Sequence, residues 1–141
     1  MRRILIIDDD PLFLDTLRKS INQDFPALEV ITHSNPVAGL RDIGPDIDLL
    51  LIDLEMPGMD GSKLLHYAKH RGVDKSRIIV LSGCDAEDLH RIFPMGTCLA
   101  VLNKHEARQR QVLRMVLASM QTGGGKTPTG KRAADKNKQR V

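Results

Sequence analysis

Short, continuous runs of apolar residues recur along the chain, and polar residues follow each run at once. Five of these runs are too short for core helices and predict strands that are buried on both faces. The runs are Ile4–Ile7, Leu28–Ile31, Leu49–Ile52, Ile78–Leu81 and Leu99–Leu102. Strands of this kind are typical of a parallel sheet that is covered by helices on both sides.

Apolar residues at helical spacing fill the segments between these runs. Asp10 and Pro11 predict the start of the first helix, with Asp10 as the N-cap and Pro11 at the first helical position. Helices are predicted from Pro11 to Phe25, from Pro36 to Ile43, from the turn at Gly61 to about Arg71, over Ala86–Phe93 and over Ala107–Met120. Five strands alternating with five helices predict an α/β fold, a three-layer sandwich around a parallel five-stranded sheet.

The composition changes abruptly at Gly123. Residues 123–141 carry six basic side chains and one acidic side chain, so this segment has a net charge of +5 and the first 122 residues have −2 of the total of +3. We expect one globular domain over residues 1–122 and a flexible basic tail or linker over residues 123–141. Contact of this tail with nucleic acid or with an acidic partner is the alternative to a solvating linker.

The cysteine content and the hydropathy limit the class of protein. Two cysteines, Cys84 and Cys98, are too few for a disulfide framework, and we expect a reducing, cytoplasmic compartment. No apolar run approaches the ~18 residues of a membrane span, so no membrane association is expected. The apolar stretch at the N-terminus ends at Asp8 and is too short for a signal peptide.

Polar side chains that could take part in catalysis or ligand binding follow the predicted strands. They are Asp8 and Asp9 after the first strand, Asp53 after the third, Ser82 after the fourth and Lys104 after the fifth. The carboxyl ends of parallel strands share one edge of the sheet, which is where open α/β sheets bind ligands. Clustered carboxylates raise each other's pKa, and a hard cation such as Mg²⁺ removes this conflict. We therefore predict phosphoryl transfer to Asp53, with Lys104 neutralising the phosphoryl oxygens and Ser82 donating a hydrogen bond to them.

The chain resembles the receiver domains of two-component response regulators over residues 1 to about 122. The resemblance rests on four motifs in this order: Ile6-Ile7-Asp8-Asp9-Asp10-Pro11, Leu51-Ile52-Asp53-Leu54-Glu55-Met56-Pro57-Gly58-Met59-Asp60-Gly61, Leu81-Ser82-Gly83 and Lys104. It implies a CheY-like, flavodoxin-like (βα)5 fold with strand order 2-1-3-4-5. It also implies a signalling phosphoprotein that assists only its own phosphorylation and dephosphorylation and is not an enzyme in the usual sense.

The resemblance implies a role for each acidic residue. Asp53 is the expected phosphoacceptor of a phosphorelay and contributes to the metal site. Asp9 is the expected direct ligand of Mg²⁺, and Asp8 is the expected ligand through water. The backbone carbonyl of Glu55 completes the protein's share of the coordination, and Mn²⁺ is the expected substitute for Mg²⁺.

The same resemblance assigns the residues that meet the phosphoryl group. Lys104 pairs with phosphate and Ser82 is the switch hydroxyl. The side chains of Glu55 and Cys84 flank the site and tune the lifetime of the acyl phosphate.

Two positions depart from the family pattern. Receivers usually carry an aromatic residue three positions before the lysine, where this chain has Val101, and a cis proline after it, where this chain has His105. A cis bond before a residue other than proline costs ~2.5–4 kcal/mol, so we expect a trans Lys104–His105 bond and a re-routed loop. The relay from Asp53 to the face built by the predicted helix over Ala86–Phe93, the fifth strand and the last helix is therefore expected to be unorthodox.

The expected phosphodonor is a sensor histidine kinase or a phosphotransfer protein. Phosphorylation would switch contacts with a partner or a second copy of the chain on that same face. The chain is then either a stand-alone receiver or a receiver that precedes an output module beyond residue 141. One alternative is a pseudo-receiver that binds partners without phosphorylation. Another is a phosphatase resembling the haloacid dehalogenases, with Asp8 as nucleophile, because Asp8-Asp9-Asp10 fits their Asp-x-Asp spacing.

Overall fold

The computed structural model of the chain describes residues 1–56, 58, 61–83, 91, 96 and 98–121. Five strands form one parallel sheet in the order β2-β1-β3-β4-β5. Their bounds are β1 Arg2–Ile7, β2 Leu28–His33, β3 Leu49–Asp53, β4 Ile78–Ser82 and β5 Ala100–Asn103. The predicted architecture and strand order are confirmed.

Helices connect these strands. They are α1 Pro11–Asp24, α2 Pro36–Arg41, α3 Gly61–His70 and a C-terminal helix at Ala107–Gln121, with a 3-10 turn at Lys75–Arg77 before β4. The tail predicted from Gly123 falls outside the described residues, as does the helix predicted over Ala86–Phe93 apart from Arg91. Within the part of the chain that the structure describes, no helix is both long enough and apolar enough to cross a membrane.

Side-chain caps start the first two helices where the sequence predicts them. The Asp10 carboxylate accepts hydrogen bonds from the backbone N–H groups of Leu12 and Phe13, and Pro11 follows it in the first turn. Asn35 caps α2 in the same way. Because the Asp10 side chain is committed to the α1 amides, its predicted capping role is confirmed.

The hydrophobic core lies in two layers, one on each face of the sheet. Along β1, Leu5 and Ile7 face one layer and Ile4 and Ile6 face the other. All four side chains are fully buried. Burial on both faces explains why the strands read as continuous apolar runs and not as an alternating pattern.

The observed boundaries differ from the predicted ones by one or two residues, which is ordinary for element ends. The second strand continues to His33, because residues 32 and 33 still pair with the end of β1 and the His33 carbonyl accepts a hydrogen bond from the Asp8 N–H. The last strand begins at Ala100 and not at Leu99, whose side chain is half-exposed.

Candidate functional site

The strand ends bring the predicted site residues to one edge of the sheet. The ends of β1 and β3 are in register through Ile7 and Ile52, and Asp53 at the end of β3 pairs with Leu81 of β4. Ser82 then pairs with Asn103 of β5, directly before Lys104. Each functional side chain is thus fixed by a rigid strand, and the position of the site follows from the topology.

Three carboxylates lie together at this edge. One oxygen each of Asp8, Asp9 and Asp53 lies within 4.8 Å of the other two. Asp8 is fully buried and Asp53 is 2% exposed, whereas Asp9 faces solvent. The sequence predicted this cluster, and it concentrates negative charge in a place with little access to water.

Burial raises the pKa of the Asp53 carboxyl from its ordinary value of 3.8 to about 6. The nearby charge of Asp8 raises it further, whereas a hydrogen bond from the Glu55 N–H and the charge of Lys104 act in the opposite direction. The N–H of Glu55 donates to Asp53 Oδ1 over 3.0 Å. Asp53 is therefore an anion that the fold holds at a cost, which is the usual condition of a reactive carboxylate.

Lys104 points into the carboxylate cluster. Its Nζ lies 2.7 Å from Asp8 Oδ2 and 3.7 Å from Asp53 Oδ2, and its side chain is 8% exposed. Burial lowers the pKa of the ammonium, but the hydrogen bond to Asp8 and the charges of Asp53 and Asp8 outweigh it and leave the pKa raised. The ammonium also lies 4.4 Å from the centre of the Phe13 ring, a cation–π contact that the sequence did not predict.

The donor set of the three carboxylates fits a hard divalent cation. Mg²⁺ binds carboxylate oxygens at about 2.0–2.1 Å, so oxygens within 4.8 Å of one another are close to the spacing of ligands on one ion. Asp8 Oδ2 is buried, and its partner among the described residues is the Lys104 ammonium at 2.7 Å. A bound cation would add positive charge beside this oxygen.

Ser82 is buried, and its hydroxyl already has an acceptor. It donates to Glu55 Oε2 over 2.9 Å, and the N–H of Gly83 donates to Glu55 Oε1 over 3.1 Å. The sequence predicted that Glu55 would flank the site but not that its carboxylate would hold Ser82. Cys84, the other predicted flanking residue, lies outside the described residues.

The two atypical positions lie beside Lys104. Val101 is half-buried and packs against one layer of the core. The Lys104–His105 peptide bond is trans, as predicted. The His105 N–H donates to Asn103 Oδ1 over 2.8 Å, so a side-chain turn holds the loop where receivers usually have a proline. The sequence did not predict that Asn103 would hold this loop, although an Asn at a strand end is a turn signal.

Comparison with known proteins agrees with this architecture. A family model described as the response regulator receiver domain matches residues 4–116. A glycerol metabolism activator from Pseudomonas putida is 43% identical over 63 residues, which are 43% of this chain and 28% of that protein. The nitrate/nitrite response regulator protein NarP from Escherichia coli (strain K12) is 35% identical over 86 residues, which are 60% of this chain and 39% of that protein. The chain thus spans less than half the length of these relatives.

Solved structures of receivers have the same fold. A CheY-like response regulator receiver domain protein from Methanospirillum hungatei JF-1 is 28% identical, with a TM-score of 0.66 over 89% of this chain and 99% of that one. A receiver domain from Clostridium thermocellum, at 24% identity, has a TM-score of 0.69 over 86% of this chain and 95% of that one. Since the family model spans well over half of the sequence, the chain belongs to the response regulator receiver domain family of two-component signalling systems.

Proposed function

We propose that Asp53 accepts a phosphoryl group from a phosphohistidine, carried by a sensor kinase or a phosphotransfer protein. The observation that carries this proposal is the buried Asp53 carboxylate, with two further carboxylates within 4.8 Å and the Lys104 ammonium 3.7 Å from its Oδ2. A carboxylate, a lysine and a hard-cation site are the parts that phosphoryl transfer requires.

In the proposed step, an Asp53 carboxylate oxygen attacks the phosphorus and forms a new O–P bond. The N–P bond of the phosphohistidine breaks, and its electron pair returns to the imidazole ring. The Glu55 N–H holds Asp53 Oδ1 at 3.0 Å, which leaves Oδ2 as the candidate nucleophile. The reaction needs positioning and charge neutralisation and no general base, so the absence of a histidine from the predicted mechanism is no obstacle.

Lys104 supplies a fixed positive charge for this step. Its ammonium rests between Asp8 and Asp53 and is kept in place by the Phe13 ring. We infer that it pairs with a phosphoryl oxygen after transfer. The buried Ser82 hydroxyl is the second phosphate-binding group that we propose.

Asp8, Asp9 and Asp53, with the Glu55 carbonyl, are the groups that we propose to hold Mg²⁺ or, in its place, Mn²⁺. Bound metal would supply positive charge against the phosphoryl oxygens and relieve the repulsion among the carboxylates. The cluster geometry and the hard oxygen donors support this assignment.

Intact-mass measurement after incubation with acetyl phosphate and Mg²⁺ tests the function. We expect one added phosphoryl group on the wild-type chain and none on Asp53→Asn. Asp74→Asn is the matched control, because Asp74 lies before β4 at the opposite edge of the sheet and asparagine retains its capping ability. Failure of the wild-type protein to form an adduct with acetyl phosphate or with a kinase would overturn the proposal.

The two alternatives have less support. In a haloacid-dehalogenase-like phosphatase, Asp8 would be the nucleophile and Asp10 the acid, but the Asp10 carboxylate is committed to capping α1. A pseudo-receiver would lack one of the reactive groups, whereas Asp8, Asp9, Asp53 and Lys104 all meet at one edge.

We further propose that phosphorylation changes protein–protein contacts, with a partner or a second copy, on the face of β5 and the C-terminal helix. A cytoplasmic location and an output module beyond residue 141 remain predictions from the sequence. The relatives described above are longer than this chain, which supports the search for such a module.

A further inference from the structure

The Glu55 carboxylate accepts hydrogen bonds from two donors at the end of β4, the Ser82 hydroxyl and the Gly83 N–H. Oε2 accepts from the Ser82 hydroxyl at 2.9 Å and Oε1 accepts from the Gly83 N–H at 3.1 Å. A Cβ on residue 83 would lie only 3.1 Å from Oε1, so the carboxylate approaches the backbone closely because this residue is glycine. Both oxygens of one anionic group are thus engaged with two adjacent residues.

Asp53 pairs with Leu81 of β4, so Ser82 and Gly83 are the next residues along that strand end, and their donors lie on the side from which β4 would meet a phosphoryl group on Asp53. A hydroxyl carries a single hydrogen, and a backbone amide carries a single N–H. A phosphoryl oxygen and a carboxylate oxygen are both anionic acceptors, so they seek the same donors in the same way. Ser82 cannot donate fully to Glu55 and to a phosphoryl group at one time.

We propose that Glu55 is a built-in competitor for the phosphoryl group. Its carboxylate holds Ser82 and Gly83 while Asp53 is free, and it leaves them when Asp53 is phosphorylated. This inference rests on the proposed function of Asp53 and names the contact that phosphorylation must break. Glu55 acts through Ser82 and Gly83 and is therefore a positioning residue.

The location of Glu55 allows this exchange. The residue is solvent-exposed, so its side chain can turn outward into water without a burial penalty. Its backbone N–H stays on Asp53 Oδ1, so the main chain does not have to move. Ser82 in turn accepts the Lys104 N–H at its carbonyl over 2.8 Å, which links the exchange to the loop that aims Lys104.

The binding of beryllofluoride, a phosphoryl mimic on the aspartate, tests the competition. In saturating Mg²⁺, we expect Glu55→Ala to bind beryllofluoride about tenfold tighter than the wild-type protein, the value of about one charge-assisted hydrogen bond. Glu55→Gln keeps the shape, loses the charge and is expected to show a smaller gain. Equal affinity of Glu55→Ala and wild type would overturn the proposal.

A double-mutant cycle separates competition from simple charge repulsion. If Glu55 acts by holding Ser82, the gain from Glu55→Ala falls below about threefold in a Ser82→Ala background. If Glu55 only repels the incoming anion, the gain is the same in both backgrounds and the proposal fails.

Hydrogen exchange of the Gly83 amide provides a readout that needs neither metal nor phosphate. We expect faster exchange in Glu55→Ala than in wild type, and a shift of the same amide resonance when beryllofluoride binds. An adduct on wild type with no change from Glu55→Ala sinks only the competition. No adduct on either protein sinks the proposed function and the competition together.

Discussion

Asp53 is an anion in a place that favours its neutral form. Its side chain is 2% exposed and shares the strand ends with the fully buried Asp8. Lys104 offsets part of this charge, but it lies closer to Asp8 than to Asp53. The residue that we propose as the reactive group is therefore also a local source of instability, a common compromise at functional sites.

We predict that Asp53→Asn stabilises the metal-free protein at neutral pH. A pKa raised to about 6 means that the folded state binds the proton more tightly than the unfolded chain, whose ordinary value is 3.8. The charged carboxylate then costs on the order of 2–3 kcal/mol at pH 7.5. This cost is absent below the ordinary pKa, grows as the pH rises and is complete above about pH 6. Urea unfolding in EDTA at pH 7.5 and at pH 4 measures the difference between variant and wild type.

The expected gain is therefore large at pH 7.5 and small at pH 4. Asp74→Asn is the control, because hydrogen bonds from Ser76 lower the pKa of Asp74. Its change in unfolding free energy at pH 7.5 is expected to have the opposite sign to that of Asp53→Asn. A gain for Asp53→Asn that does not change with pH would contradict burial of the charge as its cause.

At the residue scale, the sequence predicted where the site residues lie in the fold better than it predicted which side chains they contact. Asp8, Asp9, Asp53 and Lys104 follow buried strands, so the parallel topology alone brings them together. The partner of Ser82 could not be predicted, because the choice between solvent, phosphate and the Glu55 carboxylate depends on side-chain distances across β3 and β4. The sequence predicted the direction of the Asp53 pKa from neighbouring charges, but burial is the larger cause.

At the element scale, strong local signals gave correct helices and strands. Asp10-Pro11 and Asn35-Pro36 each combine a cap with a preset backbone angle, and both start a helix. The path of the loop after β5 was harder to predict. His105 in place of proline predicts a trans peptide bond but does not fix the backbone angles of the loop. There, the hydrogen bond from the His105 N–H to Asn103 Oδ1 supplies the missing order.

Helix α2 lies so close to β1 that residue 39 has no room for a side chain. A Cβ on Gly39 would lie 2.8 Å from both Cδ1 and Cγ1 of the fully buried Ile7. Alanine would gain about 0.5–1 kcal/mol of helix propensity but lose more to overpacking, which typically costs 1–3 kcal/mol. We predict that Gly39→Ala destabilises the protein by about 1–2 kcal/mol in urea unfolding.

Two comparisons test this packing explanation. Val37→Ala changes an exposed position of the same helix and is expected to stay within about 0.5 kcal/mol of wild type. Ile7→Val shortens the side chain that Gly39→Ala would strike, so the double variant is expected to lose less stability than the sum of the two single variants. Strict additivity would show that contact with Ile7 is not the cause.

At the scale of the whole molecule, stability and the site are coupled through the sheet edge. The two core layers bury β1, β3 and β4 and thereby force their polar ends together. The favourable free energy of burying the strands offsets the unfavourable free energy of clustering Asp8, Asp9 and Asp53. A ligand that neutralises the cluster is therefore expected to stabilise the entire domain, since it binds only the folded arrangement.

We predict that Mg²⁺ raises the unfolding free energy by about 1.4 kcal/mol at a concentration tenfold above its dissociation constant. Thermal unfolding with and without Mg²⁺ measures this effect. Asp9→Asn is expected to lose most of it, because it removes the exposed carboxylate of the cluster. Asp10→Asn is the matched neighbour that should retain the stabilisation by Mg²⁺, since its side chain caps α1.

Mg²⁺ should also narrow the difference in unfolding free energy between Asp53→Asn and wild type, because the ion offsets the repulsion that the variant removes. Equal responses of wild type, Asp9→Asn and Asp53→Asn would place the ion elsewhere and contradict the assignment.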